Sequence, residues 1–174
     1  MKHYITDEDI NRVSIKNLPY HDENTCKGIE AYCQYLLDCS KCYNNSNECG
    51  MLLDVQDLSK YNLYKGNEHN VTAKINWASL RMKYEEFENR FIFVHNHPNN
   101  SWFSELDLKT FLSNPYLYLA IVVQNNGICH ISMKQSNSPI NTSKVLDYMK
   151  ELTIKEKIHT LKQVDIFYYR RYSK

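Results

Sequence analysis

Two histidines at the end of an apolar run are the residues in this chain with the clearest chemistry. His95 and His97 directly follow the four apolar residues Phe91–Val94. Because side chains alternate across a strand, both imidazoles lie on the same face of the strand end. Pro98 cannot continue a central sheet ladder, so the strand is predicted to end where the histidines emerge.

A helix is predicted to begin after the next short loop. Ser104 opens a stretch to Leu112 whose pattern is typical of a helix, and Asp107 lies in its first turn. Ser104 can cap this helix with Asp107 as the matching acid, a near capping box that requires no metal. Capping and ligation are compatible, however, and two histidines with one aspartate form the ligand set of a catalytic zinc site with one open position.

These residues also resemble a known family. The stretch His95-Asn96-His97-Pro98, a short spacer and Ser104-x-x-Asp107 resemble the JAMM motif of the JAB/MPN metalloproteases, and the histidine stretch is closer to the RadC branch than to the deubiquitinase branch. The resemblance covers about residues 48–132. It implies an α/β (α+β) fold of the JAB/MPN-like, cytidine-deaminase-like type, which is a mixed β-sheet flanked by helices.

The resemblance also assigns roles to residues. Glu48 stands before an apolar run, where the family places a glutamate. The implied activity is that of a zinc-dependent hydrolase, a metallopeptidase or isopeptidase, with Zn²⁺ held by His95, His97 and Asp107. Glu48 would move the proton of the attacking water and Ser104 would steady the oxyanion. The implied substrate is a peptide or protein, with a ubiquitin-like protein as one candidate.

Two alternatives remain open at this point. Five residues separate Pro98 from Ser104, which is a shorter loop than the family's and leaves a catalytically silent JAB-fold binding module possible. A RadC-like protein associated with DNA repair, recombination or mobile elements is the other alternative. Its independent support is the tail 166–174, which mixes aromatic and basic residues that can stack on nucleic acid. The same tail could instead form a strand or an arm over a hydrophobic groove.

The composition limits the class of protein. The chain has 174 residues, 43% hydrophobic content and a formal charge of +1, so it lacks a global field that would attract nucleic acid or an anionic membrane. No apolar stretch is long enough to cross a bilayer, and the N-terminal residues lack the apolar segment of a signal peptide. We therefore expect a cytoplasmic protein without membrane association.

The six cysteines are expected to be reduced core thiols rather than disulfides. Cys39 and Cys42 form a C-x-x-C pair, but no second such pair or histidine pair follows at ligand spacing. His130, in a predicted strand, is interpreted as a half-buried strand residue, and Asn96 as a structural residue that points away from the metal face.

The pattern of the whole chain predicts a single domain over residues 1–174 without internal repeats. An irregular N-terminal arm is expected at 1–23, a helix at 24–38 capped by Asn24 or Thr25, the catalytic core at 48–133, and a C-terminal helix and tail at 141–174. Within these units we predict strands at 49–55, 61–66, 71–75, 90–94, 116–123 and 128–133, and helices at 76–87, 104–112 and 141–161.

Overall fold

The computed structural model describes residues 1–83, 90–135, 142–163 and 166–171 of the chain. The helices are α1 (Asp7–Arg12), α2 (Glu23–Tyr43), α3 (Trp77–Lys83), α4 (Glu105–Ser113), α5 (Thr142–Met149) and α6 (Ile154–Gln163). The strands are β1 (Cys49–Asp54), β2 (Asp57–Lys65), β3 (Phe91–His97), β4 (Leu117–Gln124), β5 (Cys129–Lys134) and β6 (Ile166–Arg171).

Within these described ranges the strands form one six-stranded sheet in the order β2-β1-β3-β4-β5-β6. β3 and β4 are parallel, and every other neighbouring pair is antiparallel. The expected α/β class with a mixed sheet is therefore confirmed. Because parallel neighbours cannot be joined by a tight turn, a crossover must connect β3 to β4, and α4 is that crossover. This connection places the start of α4 one short loop beyond the end of β3.

Helices cover both faces of the sheet. On one face α2 buries an apolar stripe that includes Ile29, Cys33 and Leu36, and on the other face α4 buries Leu108 and Phe111. The strands between them are buried on both sides, which explains why their sequences are almost continuously apolar. The helical spacing in the sequence predicted the apolar stripe of α2 correctly.

The predicted limits of this long helix are wrong at both ends. α2 begins at Glu23, because Asp22 is the N-cap and its Oδ1 accepts a hydrogen bond from the Thr25 backbone N–H at 2.7 Å. It continues to Tyr43, five residues beyond the predicted end, because its buried face extends through Cys39 and Ser40.

The N-terminal arm is more ordered than the sequence predicted. Thr6 and Asp9 form a capping box that starts α1. Four apolar side chains of the arm join the core on the α2 face of the sheet: Ile5, Val13, Ile15 and Leu18. The arm therefore packs on the domain.

Residues 71–75 do not form the predicted strand. Their side chains alternate between half-buried and exposed, as a strand's would, but the segment lies outside the sheet between β2 and α3. The helix predicted at 76–87 is confirmed as far as Lys83, and its last residues lie outside the described ranges.

The predicted C-terminal helix 141–161 is two helices, α5 and α6. The break follows from a second capping interaction, since Thr153 Oγ1 and the Thr153 backbone N–H both bond to the Glu156 carboxylate. The described part of the tail, residues 166–171, forms β6, which pairs with β5 at the edge of the sheet. The expectation of a strand in the tail is therefore confirmed, and its stacking on nucleic acid stays a prediction. No described helix is both long enough and apolar enough to span a bilayer.

Candidate metal centre

The end of β3 presents two imidazoles to the same space. His95 and His97 both lie on the face of the sheet that packs against α4, and their side chains are almost fully buried. Their Nε2 atoms are 3.0 Å apart. Asn96, between them, points to the opposite face, as the alternation of a strand requires.

The start of α4 brings Asp107 to the same place. Ser104 is the N-cap of α4, its Oγ accepts from the Asp107 backbone N–H at 3.1 Å, and its own N–H donates to Asp107 Oδ2 at 2.6 Å. This capping box turns the carboxylate toward the histidines, so that Oδ1 lies 3.1 Å from His95 Nε2 and Oδ2 lies 3.3 Å from His97 Nε2. The capping and ligand interpretations of Asp107 are thus compatible in the structure.

The spacing of these donor atoms fits a metal ion. Zinc bound by nitrogen and oxygen at about 2.0–2.1 Å in a tetrahedron requires its ligand atoms to be about 3.3 Å apart. The three separations among His95, His97 and Asp107 are 3.0, 3.1 and 3.3 Å. Within the described part of the chain, this is the one group of three or more potential ligands that could hold a metal ion.

A hydroxyl group behind His97 orients its ring. Ser101 Oγ lies 2.9 Å from His97 Nδ1, and the same hydroxyl also donates to Asn99 Oδ1 at 2.7 Å. A partner on Nδ1 directs Nε2 of a histidine toward a metal. Ser101 was not among the site residues predicted from the sequence. The sequence feature that could have predicted this contact is the position of Ser101, a hydroxyl residue four positions after His97 in the loop that turns back toward the site.

His95 is oriented differently. Its ring stacks on Phe93, with ring centroids 5.5 Å apart and an interplanar angle of 29°. Its Nδ1 is buried without a hydrogen-bond partner. Apolar packing therefore holds this imidazole, whereas a polar partner holds that of His97.

The charges of the three groups depend on one another. Burial opposes protonation of His97, but the hydrogen bond and charge of Asp107 outweigh it and raise the pKa of His97 above its ordinary value. Burial likewise opposes ionisation of Asp107, but the charges and hydrogen bonds of His95 and His97 hold the pKa of Asp107 well below its usual range. Asp107 is therefore ionised at neutral pH, and its negative charge attracts a proton or a cation to the site.

Glu48 lies in the same cavity, just before β1. Its backbone N–H donates to Asn67 O at 2.8 Å, and its carbonyl accepts from Gly66 N and from Asn44 Nδ2, both at 2.8 Å. Burial raises the pKa of its carboxyl group to about 7, with a smaller contribution from the charge of Asp107, while the charge of His97 opposes the rise. A carboxyl group with a pKa near neutrality can both accept and donate a proton at physiological pH.

Asn96 holds the chain on either side of Glu48. Its Oδ1 accepts from the Cys49 backbone N–H at 2.6 Å, and its Nδ2 donates to Asn47 O at 3.2 Å. The same Nδ2 also donates to Asn125 Oδ1 at 2.6 Å. The structural interpretation of Asn96 therefore agrees with its contacts, which in addition link the histidine strand to the glutamate.

All five residues that the sequence singled out line one cavity of about 400 Å³: Glu48, His95, His97, Ser104 and Asp107. The other candidates do not join them. The Cys42 side chain is exposed, with its Sγ 3.5 Å from Asp38 Oδ1, whereas Cys39 is buried. All six cysteines are free thiols. His130 is fully buried rather than half-buried and lies 2.9 Å from the Gln124 amide nitrogen, because β6 covers β5 on its outer edge.

Comparison with known proteins found no matching family model, no matching curated protein and no matching solved structure.

Proposed function

We propose that this protein is a zinc-dependent hydrolase of the JAMM type, with a JAB/MPN-like fold, that cleaves a peptide or isopeptide bond. The observation that carries the proposal is the set of donor atoms of His95, His97 and Asp107, which lie 3.0–3.3 Å apart beside a buried glutamate in one cavity. A purely structural capping box would need neither the histidine pair nor Glu48.

The donor set favours zinc over the hard cations. Magnesium and calcium prefer sites made of oxygen ligands, whereas two imidazoles with one carboxylate suit zinc. When bound there, zinc would supply a Lewis acid that lowers the pKa of water and polarises a carbonyl oxygen. Three protein ligands leave a position open for that chemistry.

The chain's own residues divide the remaining work. Glu48 accepts a proton from the attacking water and donates it to the leaving amine, for which a pKa near 7 is well matched. Ser104 lies in the same cavity, and its hydroxyl can donate to the oxyanion while its Oγ still accepts from Asp107 N. Ser101 holds the ring of His97 in the orientation that ligation needs.

Metal content provides the first test. Purified protein reconstituted with zinc should contain about one zinc per chain, as a site with three protein ligands requires. His97→Ala should lose the metal, and Glu48→Gln should keep it. Glu68→Gln is the matched control, because Glu68 lines the same cavity but is exposed. A zinc content below about 0.2 per chain, without a gain on reconstitution, would end the enzyme proposal.

Turnover provides the second test. The zinc-loaded protein is incubated with a complex peptide mixture and with isopeptide-linked protein conjugates, and the new termini are identified by mass spectrometry. We expect cleavage by the wild type and by Glu68→Gln, and none by Glu48→Gln. If Glu48→Gln retained full turnover, the role of Glu48 would be wrong. The RadC-like alternative depends on the basic and aromatic residues of the tail, most of which lie in β6.

A further inference from the structure

The cavity beside the histidines continues into a region with apolar walls. Phe111 and Leu117 are buried at its base, and Ile75, Trp77 and Phe93 line its sides with half-buried side chains. The volume of about 400 Å³ lies within the range of about 300–1,000 Å³ that is typical of ligand pockets. The cavity is therefore larger than a substrate with glycine next to the hydrolysed bond would need.

Aromatic contacts hold these walls in place. Trp77 meets Phe91 edge to face at 5.8 Å between ring centroids and packs against Tyr116 at 5.4 Å. Phe93 stacks on the ring of His95. The apolar wall is therefore continuous with a residue of the metal centre, and a side chain bound against Phe93 would lie beside the bond that the centre acts on.

The apolar part of the cavity favours one class of side chain. No lysine or arginine of the described residues lines the cavity, so an acidic side chain placed against the apolar walls would lose its hydration without gaining such a partner. A neutral apolar side chain matches the walls and meets no such penalty.

We propose that this pocket binds a leucine-sized or phenylalanine-sized side chain of the substrate residue next to the hydrolysed bond. The hydrolase proposal supplies the position of that bond, so this inference rests on the proposed function in that respect. The preference of the pocket for an apolar side chain does not require turnover and can be measured separately.

The first experiment compares two hydroxamates, which anchor on zinc and place one side chain beside it. N-acetyl-phenylalanine hydroxamate should bind the zinc-loaded protein at least about tenfold more tightly than N-acetyl-glycine hydroxamate, because it buries an aromatic side chain. Ala73→Phe fills the cavity from its half-buried rim and should reduce this ratio to less than about threefold, with glycine hydroxamate binding unchanged. Lys74→Phe, at an exposed neighbour outside the cavity, is the control and should preserve the ratio.

The second experiment needs no metal. N-acetyl-phenylalanine methylamide is titrated into metal-free protein, and the indole N–H signals of the two tryptophans are followed by NMR. The Trp77 signal should shift with the phenylalanine compound and not with its glycine analogue, and Ala73→Phe should abolish the shift. The Trp102 signal, which comes from a residue outside the cavity, should not move.

The two experiments separate the failure of the pocket from the failure of the enzyme proposal. Equal binding of the two hydroxamates to zinc-loaded protein would overturn the pocket and leave the metal centre standing. A protein that binds no zinc but shows the selective Trp77 shift would overturn the hydrolase and keep the pocket. A Trp77 signal that responds to neither compound, or equally to both, in metal-free protein would also overturn the pocket.

Discussion

Replacing Glu48 with glutamine should stabilise the metal-free protein at alkaline pH and leave its stability unchanged at acidic pH. Glutamine keeps the size of the side chain and an oxygen that can accept from the Val71 backbone N–H, as the carboxylate does. It removes only the ionisation. The comparison therefore isolates the free energy that the fold loses when this buried carboxyl group becomes charged.

The magnitude follows from the pKa of Glu48, which burial raises from its ordinary value of 4.5 to about 7. One pKa unit corresponds to about 1.4 kcal/mol, so full ionisation costs the folded state at most ~3.4 kcal/mol. Because the carboxyl group faces a cavity that admits water, screening reduces this cost, and we expect about 1.5–2 kcal/mol.

The sign of the effect depends on proton binding. Between pH 4.5 and pH 7 the folded state holds the proton on Glu48 more tightly than the unfolded state does, so the contribution of Glu48 to the free energy of unfolding falls as the pH rises through this window. Below pH 4.5 the carboxyl group is neutral in both states. The advantage of Glu48→Gln should therefore appear above pH 4.5 and reach its full size above pH 7.

The assay is urea unfolding of both proteins in a chelator at pH 4, pH 6 and pH 8. Glu68→Gln serves as the control, since this exposed carboxylate should change the free energy of unfolding by less than about 0.5 kcal/mol at every pH. A difference between Glu48→Gln and wild type that is the same at all three pH values would refute the reasoning. So would a wild type that is the more stable protein at pH 8.

Four further predictions follow from the site. Asn96→Ala should lower the free energy of unfolding by ~3 kcal/mol in a denaturant titration, because it removes the partner of two buried groups, the Cys49 backbone N–H and Asn125 Oδ1. Ser101→Ala should weaken zinc binding by up to about tenfold in a chelator competition, with little change in stability, because the Ser101 carbonyl still lies 3.2 Å from His97 Nδ1. Gly50→Ala should cost about 1–3 kcal/mol in thermal unfolding, because the added Cβ would lie 3.0 Å from Phe93. When the pH is lowered, zinc affinity should start to decrease before pH 6.5 is reached, because the pKa of His97 is raised and its protonation competes with zinc. A pH titration in which zinc is lost only well below pH 6 would contradict this.

The ligands were predictable because they lie close together in sequence. His95, His97 and Asp107 belong to one strand–loop–helix stretch, so strand alternation and helix capping suffice to bring them together. Glu48 directly precedes β1, which pairs with β3 across a long separation in sequence. No local pattern predicts such a pairing, and Glu48 was therefore identified only through the family resemblance.

Two errors arose from capping signals that the sequence does contain. Thr6-x-x-Asp9 starts α1, in a segment that was predicted to be irregular, and Thr153-x-x-Glu156 starts α6, within a helix that was predicted to be continuous. In both segments polar residues outnumber the apolar ones, so apolar periodicity does not predict where these helices begin. The capping boxes, tested directly, would have placed both helix starts.

The strand predicted at 71–75 illustrates a different limit. Val71, Ala73 and Ile75 are half-buried and their neighbours are exposed, so the alternation in the sequence correctly predicts which side chains turn inward. An alternating pattern reports burial, however, and not a hydrogen-bonding partner. Here the inward side chains line the cavity instead of a sheet face, and for this reason the apolar pocket was not visible in the sequence.

The register of β3 determines both halves of the proposed chemistry. Gly50 of β1 pairs with His95 of the antiparallel β3, so Glu48, two residues before Gly50, lies near the end of β3 that carries His97. Asn96 forms hydrogen bonds to the residues on either side of that glutamate. A slip of one residue would turn both histidines into the core and Asn96 into the cavity. Because the two faces of one strand orient the metal ligands and position the glutamate, a variant of Asn96 that remains folded should retain zinc and lose turnover. Such a separation would distinguish a positioning residue from a residue that serves stability alone.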